Sequence, residues 1–399
     1  MSTMPRSFER VESRVFWAML ALGAAVVGIG LLAAHQMETA GHIATGMNNQ
    51  IVWGLPHVFA IFMIVAASGV LNVASVGSVF GQPAYKARAP LSGLLCIALL
   101  AGGLMVLMLD LGRPDRLIVA ATHYNFKSVF AWNVFLYSGM VAIVAVYLFT
   151  MFEQRFKHLS KPAGLAALVW RFVLTTGTGS IFGFLVARQA YQSALLAPLF
   201  IVLSFGWGLA VFLIVQASMY TWNDRHLSPE IQRRMARLLA VFIAASLYLV
   251  AVYHVTNLYF ARQGAFEAFI LRDGGVYPLL FWGGYVGLGS VLPLVLLFHP
   301  RLAGERATLA ASALVVLGAL AWLFVFIVGG QAFPLEIFPG HAVSSNFGDG
   351  AMAAYTPSWP EALLGLGGVG AAFVMTVVGV RVLDFMPQDD FVGAPTQQA

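Results

Sequence analysis

The sequence has very little charge and almost no cysteine. Of its 399 residues, 10% are charged and 60% are apolar, whereas a typical soluble domain carries about 25% charged and about 45–50% apolar residues. So little charge excludes soluble, disordered and nucleic-acid-binding proteins. The single cysteine, Cys96, excludes a disulfide scaffold. It also excludes an iron–sulfur cluster held by this chain alone, because a cluster usually takes four thiolates.

Long apolar runs predict an all-α integral membrane protein, with residues 1–399 forming one polytopic membrane domain. A membrane-spanning helix needs about 20 mostly apolar residues. Ten runs have this character, at 15–35, 53–80, 91–111, 129–151, 166–187, 194–220, 233–260, 277–298, 307–332 and 360–385. The first run is longer than the apolar core of a signal peptide, so we expect it to be retained.

The distribution of cations predicts the orientation. Fifteen of the 22 lysines and arginines lie on one side of the ten runs and six on the other, with Arg171 inside a run. Because cytoplasmic loops carry the excess of Lys and Arg, both termini are predicted to be cytoplasmic. The outer connections are the longer ones, at 36–52, 112–128, 261–276 and 333–359. They are interpreted either as a docking surface for a partner or as simple connectors.

Polar side chains recur at a similar depth near the outer ends of the predicted spans. Ionisable groups in membrane spans are costly and often functional, so these side chains are candidates for lining one pocket. Each also has a structural interpretation, as an interfacial ion pair, a helix cap or a packing histidine. Asp110 and Arg113 are three residues apart and can pair if the helix continues that far. The candidates are Trp53, His57, Asp110, Arg113, His123, Ser128, Trp132, Arg188, Tyr253, His254 and Glu361.

This set of residue types is suited to a quinone. A quinone headgroup needs hydrogen-bond partners at its carbonyls, a proton donor or acceptor, and aromatic walls. Histidine titrates near neutrality and a carboxylate can exchange a proton, which makes His57 and Asp110 the candidate catalytic pair. The other candidate quinone-binding residues are Trp53, Arg113, His123, Ser128, Trp132, Arg188 and His254. The candidate proton path consists of Asp110, Tyr253, His254 and Glu361.

Three other functions are compatible with the same residues. His57 and His254 could be axial ligands of a b-type haem, since such a haem often takes two histidines from different spans. A polar layer could also belong to a secondary ion or proton transporter, although these usually place their site near the bilayer midplane. A simple membrane anchor would need none of these side chains.

Four segments carry a resemblance to a known family. The sequence resembles the NrfD/PsrC family of quinone-interacting membrane subunits at 53–57 (WGLPH), 110–116 (DLGRPDR), 123–128 (HYNFKS) and 355–361 (YTPSWPE). The ten-span layout is similar to the longer branch of that family, which includes DsrP, HmcC and HybB, and spans two, three and seven look most like the DsrP type. The resemblance covers essentially the whole chain.

The resemblance implies a fold of two four-helix bundles plus an extra helix pair, with no haem or iron–sulfur cluster on this chain. A quinone, either ubiquinone or menaquinone, would bind near the outer face. A periplasmic ferredoxin-like iron–sulfur subunit would dock on the outer loops, and its nearest cluster would exchange electrons with the quinone. Other subunits of the respiratory complex, including cytochromes, and a role in sulfur metabolism in the bacterial inner membrane are also implied.

The sequence departs from one branch of that family. In the polysulfide-reductase branch, the span corresponding to the second one carries an Asn and a His at the quinone. Here His57 stands at the Asn position and Ala60 stands where that histidine would be. The resemblance therefore implies that a relocated histidine does the same work, or that Asp110 and His123 take a larger share of it. Since the predicted inner half is poor in carboxylates, we expect quinone protons to be exchanged with the outer side.

Overall fold

A computed structural model describes residues 13–222, 228–299, 301–335, 350–383 and 385. Within these ranges the chain is helical, with turns between the helices and no β-strand. Residues 336–349 of the longest outer connection lie outside the described residues, as do the arginines at positions 6, 10 and 225 that contribute to the predicted charge asymmetry.

Ten helices are long and apolar enough to cross a membrane, which confirms the predicted number among the described residues. The chain is a multi-pass integral membrane protein. In chain order, spans 1 to 10 are Arg14–Ala40, Leu55–Ser78, Ala89–Leu109, Val129–Phe152, Gln154–Gly183, Leu196–Trp222, Pro229–Tyr259, Val276–Phe298, Glu305–Ala332 and Trp359–Val382.

The spans pack as two bundles and a pair. Spans 2 to 5 contact one another, and spans 6 to 9 form a second group. Spans 1 and 10 lie side by side, and span 10 packs against spans 2 and 3. Span 2 is the central element, since it also contacts span 6 and most of its residues are buried. The arrangement agrees with the two four-helix bundles and extra pair expected from the resemblance.

A pair of glycines joins the two bundles. A Cβ atom on Gly69 of span 2 would lie 1.7 Å from the Ser204 carbonyl oxygen, and one on Gly208 of span 6 would lie 2.3 Å from the Gly69 backbone. No side chain fits at either position, so the two backbones are in direct contact. Small residues allow such close approach between membrane helices, where dispersion contacts replace the hydrophobic effect.

Helix ends differ most from the prediction at span 5. The sequence predicts a start at residue 166, but the helical path begins at Gln154 as a 3-10 turn and continues as an α-helix from Ser160. Residues 154–165 are largely polar and basic, so apolar length alone does not reveal them as helical. Spans 8 and 9 contain π-helical stretches, Leu279–Val291 and Val325–Gly329, and such stretches are frequent at functional sites.

Candidate functional site

His57 and Asp110 meet at the outer ends of spans 2 and 3. His57 lies in the first turn of span 2, behind the N-cap Gly54 and a proline at the second helical position, which is pre-organised for a helix start. Its Nδ1 atom is 2.8 Å from Asp110 Oδ2, and the Asp110 side chain is 1% exposed. This contact is not a hydrogen bond, and among the described residues neither carboxylate oxygen of Asp110 has a hydrogen-bond partner. A buried carboxylate in this state is costly, so a further donor or a shared proton would stabilise it.

Local backbone geometry fixes the position of Asp110. Asp110 is the C-cap residue of span 3, and Gly112 follows with φ 69°, in the left-handed region that favours glycine. His42 Nε2 lies 3.1 Å from the Asp110 carbonyl oxygen. A Cβ on Gly112 would lie 2.8 Å from the ring of His42. The chain therefore turns sharply after Asp110 and packs against His42, a residue to which the sequence assigns no role.

A cavity of about 440 Å³ opens beside this pair. His57 forms one polar part of its wall, and Trp53 stacks on the His57 ring with centroids 6.0 Å apart. Phe130 and Phe182 extend the aromatic wall, at 6.1 and 5.7 Å from the Trp53 centroid. Ligand pockets of this size are typically apolar with a few placed polar groups. Asp110 stands behind His57, outside the lining.

Span 4 supplies a second polar face to the cavity. Phe130, Asn133, Val134, Tyr137 and Ser138 all line it, and their spacing places them on one helical face. Asn133 and Tyr137 are buried. Tyr137 is not among the candidates chosen from the sequence, although its spacing from Asn133 on an otherwise apolar helix is a signal that could have found it.

Gln331 clamps the backbone that leads into span 2. Its Oε1 atom accepts hydrogen bonds from the backbone N–H groups of Val52 and Trp53, both at 3.1 Å. Its Nε2 atom donates to the carbonyl oxygens of Trp53 and Ile327, both at 2.9 Å. Gln331 is 1% exposed. The side chain holds Trp53 in place from the end of span 9, and sequence reasoning missed it.

Arg188 strengthens the same junction. Its guanidinium donates to the Gln331 carbonyl at 3.0 Å and to the Gln50 carbonyl at 2.8 Å. Burial lowers the pKa of Arg188, which lies in the connection between spans 5 and 6. Arg188 does not line the cavity, so the structure gives this candidate quinone-binding residue a positioning contact instead.

Glu361 and Tyr355 hold the start of span 2 from the other side. Glu361 is fully buried and accepts hydrogen bonds from the N–H of Gly46 at 2.9 Å and of Ser358 at 2.7 Å. Tyr355 donates to Glu361 Oε1 and accepts from the Leu55 N–H, both at 2.6 Å. Burial, together with the hydrogen bond to Glu361, raises the pKa of Tyr355. Glu361 thus caps span 10 and, through Tyr355, fixes the first residue of span 2.

His254 belongs to a second buried cluster. Its Nδ1 atom is 2.7 Å from Glu267 Oε2, and Asn257 donates to Glu267 Oε1 at 2.7 Å. Glu267 is fully buried. The Tyr253 hydroxyl donates to the Ala190 carbonyl. None of these residues lines the 440 Å³ cavity, so the structure separates Tyr253 and His254 from the His57–Asp110 pair. Glu267 is not among the candidates chosen from the sequence.

Four other candidates do not line the cavity. Arg113 pairs with Asp115 at 2.9 Å, with both side chains mostly exposed, rather than with Asp110 as the spacing suggested. The helix ends before Arg113, so the required turn is absent. His123 is exposed and contacts Thr122. The remaining two are Ser128, the N-cap residue of span 4, and Trp132, an exposed ring that donates to the Phe126 carbonyl.

The two histidines considered for a haem do not face one another. His57 lines the 440 Å³ cavity and contacts Asp110, whereas His254 lines a separate small cavity and contacts Glu267. Each imidazole has a different carboxylate close to its Nδ1 atom, at 2.8 Å for His57 and 2.7 Å for His254. The geometry of the described residues does not present them as an axial pair.

Comparison with known proteins agrees with this architecture. The family model described as Polysulphide reductase, NrfD matches residues 44–335. The chain is 28% identical to the Hdr-like menaquinol oxidoreductase integral membrane subunit of Archaeoglobus fulgidus, covering 96% of this chain and 98% of that protein. It is 24% identical to the C chain of polysulfide reductase from Wolinella succinogenes, over 71% of this chain and 96% of that one. It is 22% identical to the menaquinone reductase integral membrane subunit of Nitratidesulfovibrio vulgaris, over 96% and 95%. The chain therefore belongs to the polysulphide reductase NrfD family.

Proposed function

We propose that this chain is the quinone-reactive membrane subunit of a respiratory oxidoreductase complex. The observation that carries the proposal is the partly exposed His57 on the wall of an apolar cavity, backed by the buried Asp110 at 2.8 Å. Two of the relatives are named for menaquinol or menaquinone, which supports a menaquinone-type naphthoquinone as the substrate.

In quinol oxidation, His57 and Asp110 each have a role in proton transfer. The quinol loses two electrons and two protons and becomes the quinone. Since His57 Nδ1 faces Asp110, Nε2 is the ring nitrogen left for a substrate hydroxyl. His57 accepts one proton at Nε2, and the Asp110 carboxylate, 2.8 Å from Nδ1, stabilises the imidazolium that forms. Release of that proton returns His57 to the neutral form before it accepts the second. Protons then pass to the outer side. Quinone reduction is the same sequence in reverse.

The aromatic and polar walls account for substrate orientation. Trp53, Phe130 and Phe182 supply ring faces against which a planar headgroup can stack. Asn133 and Tyr137 are polar groups on another side of the cavity, placed to reach the second oxygen of a headgroup. Leu104, Leu107 and other apolar side chains complete the lining, which suits an isoprenoid tail.

The electrons require a partner, because the residues described offer no cluster of three or more metal-ligating side chains. In the proposal a ferredoxin-like iron–sulfur subunit docks on the outer connections, next to the His57 end of the bundle. Cytochrome subunits complete the complex.

The cation asymmetry supports an orientation with both termini cytoplasmic in a bacterial inner membrane. The relative named polysulfide reductase and the resemblance to the DsrP type support sulfur compounds as the terminal substrate.

The test is quinol oxidation by the intact complex. A short-chain naphthoquinol is the substrate, and electron arrival at the partner subunit is measured for His57→Gln and Asp110→Asn. Because general acid–base groups contribute about a hundredfold or more, kcat/KM is expected to fall by at least about a hundredfold in each, with complex assembly retained.

Matched controls are available on the same chain. His158→Gln and Glu305→Gln alter exposed residues at the other end of the bundle, away from the cavity and from the outer connections, and both are expected to keep parental rates. Parental rates in the two test variants would contradict the proposal. Loss of assembly in both would point to a structural role for the pair. A Soret band assigned to this chain would favour the haem alternative instead.

A further inference from the structure

A second large cavity lies at the opposite end of the molecule from His57. It has a volume of about 610 Å³ and is enclosed by the first turns of span 7, the last turn of span 8 and the start of span 9. Its polar lining includes Arg233, Arg237, Gln232 and Thr308. This is the basic end of the bundle, which the charge asymmetry predicts to be cytoplasmic.

Arg233 and Arg237 both contribute positive charge to the wall of this cavity. Arg233 and Arg237 are four residues apart on span 7, so they lie on the same helical face. The Arg233 Nε–H donates to the Pro229 carbonyl at 3.2 Å, which anchors that side chain beside the cavity. The acidic residue of the same turn, Glu230, is paired with Arg234 at 2.5 Å. That carboxylate therefore neutralises a cation outside the cavity lining.

The surrounding segments keep an excess of positive charge. Residues 228–237 and 301–308 together contain five arginines and two glutamates. The second glutamate, Glu305, starts span 9 next to Arg306. An anionic ligand is therefore favoured at this end over a neutral or cationic one.

Apolar side chains border the cavity on the membrane side. Leu297 and Phe298 line it, and Phe298 is 64% exposed. Exposed Leu302 and Leu309 continue this border along the start of span 9. Arg237 lies two turns into span 7, about 12 Å along the helix axis from Pro229. The cations thus sit where a helix enters the bilayer, with apolar surface next to them at acyl-chain depth.

We propose that this cavity binds the phosphate headgroup of an anionic phospholipid. Arg233 and Arg237 hold the phosphate, Gln232 and Thr308 offer further hydrogen bonds, and the acyl chains lie on Phe298 and its apolar neighbours. Basic pockets between membrane helices on the cytoplasmic side recognise such headgroups. A free phosphate ion would use the arginines but not the apolar border. The proposal does not depend on the quinone site.

The test measures lipid binding by the full-length chain, purified with the subunits that accompany it. Native mass spectrometry after delipidation follows binding of dioleoyl phosphatidylglycerol, dioleoyl phosphatidylcholine and inorganic phosphate. Because each basic residue contributes about fivefold near an anionic headgroup, the R233Q/R237Q variant is expected to bind phosphatidylglycerol about thirtyfold more weakly. The matched control is R155Q/K157Q, which removes two exposed cations from the 3-10 turn at the start of span 5.

The outcomes separate the possible ligands. Preference of the parent for phosphatidylglycerol over phosphatidylcholine, lost in R233Q/R237Q and kept in R155Q/K157Q, supports the proposal. Equal binding of the two lipids by the parent overturns it, as does equal loss in both variants. Competition by inorganic phosphate at the affinity of the lipid also overturns it, in favour of a free-anion site. Ala236→Phe fills the cavity without changing charge, and it too is expected to lose the lipid. This variant tests the proposal if R233Q/R237Q does not fold.

Discussion

Removing a single hydroxyl tests whether the polar contacts behind the cavity position the catalytic end of span 2. Tyr355 donates to Glu361 and accepts from the Leu55 N–H, both at 2.6 Å. Tyr355→Phe keeps the ring and removes both bonds. The bond to the carboxylate is worth about 1.5–3 kcal/mol and the bond from the amide about 1 kcal/mol, so we expect a loss of about 3 kcal/mol in the free energy of unfolding.

The same change should be visible in the kinetics. Leu55 precedes His57 by two residues, so a loosened first turn moves the imidazole relative to the cavity. A positional cost of about 1 kcal/mol raises KM for a naphthoquinol about fivefold. The kcat value should change less, because His57 and Asp110 are both retained. The assay is steady-state quinol oxidation by the complex, together with its apparent melting temperature, which should fall by about 3 to 5 °C.

Tyr259→Phe is the control, because Tyr259 is exposed at the end of span 7 and its hydroxyl should contribute nothing to either measurement. The reasoning is refuted if Tyr355→Phe melts within a degree of the parent and has an unchanged KM. In that case the bridge from Glu361 to Leu55 does not position span 2.

Two further substitutions probe the supports of span 2, and a third probes the separate His254 cluster. Gly54→Ala would place a Cβ 2.4 Å from Glu361 Oε1, so melting temperature and quinol affinity should both fall. Its control is Gly283→Ala, whose Cβ has no neighbour closer than 3.8 Å and which should change neither measurement. Arg188→Lys replaces a guanidinium that donates to the backbone carbonyls of Gln331 and Gln50 with a single ammonium. A loss of about 1 to 2 kcal/mol in the free energy of unfolding is expected in denaturant titration. His254→Ala removes the imidazole from Oε2 of the buried Glu267 and leaves only Asn257 on the other carboxylate oxygen, so stability should fall by about 3 kcal/mol. KM for the quinol in the surviving complex should stay at the parental value, and a raised KM would place His254 at the quinone after all.

The local pattern of the sequence was sufficient for only part of the site. Asp110 and His57 could be singled out because an ionisable group at the end of a membrane span is costly to desolvate and is therefore often functional. Trp53 lies before the N-cap Gly54 of span 2, so its stacking on the His57 imidazole does not follow from helix periodicity. Likewise, the pairing of Arg113 could not be read from its spacing to Asp110, because Gly112 turns the chain before the next helical turn forms.

The supports of the site required contacts between distant segments. Gln331 lies 278 residues after Trp53 in the sequence, yet its amide satisfies the Trp53 N–H and carbonyl. Glu267 reads from the sequence as a loop carboxylate, but the turn after span 7 folds it back onto His254. These side chains are isolated polar residues in the sequence, and their partners are backbone groups or single residues of other spans, for which a one-dimensional pattern contains no signal.

Composition and periodicity by themselves determined the class of this protein, because ten apolar runs in a sequence with 10% charge can be buried only in a bilayer. They also determined which ionisable groups are exceptional, since each carries a desolvation cost that must be offset. The tertiary structure alone decided which of those groups share a site. Helices are rigid and their ends are brought together by packing, so His57 meets Asp110 while His254 meets Glu267. The depth of a side chain in the membrane follows from its position along a helix. Which side chains it contacts follows from how the helices are arranged around span 2.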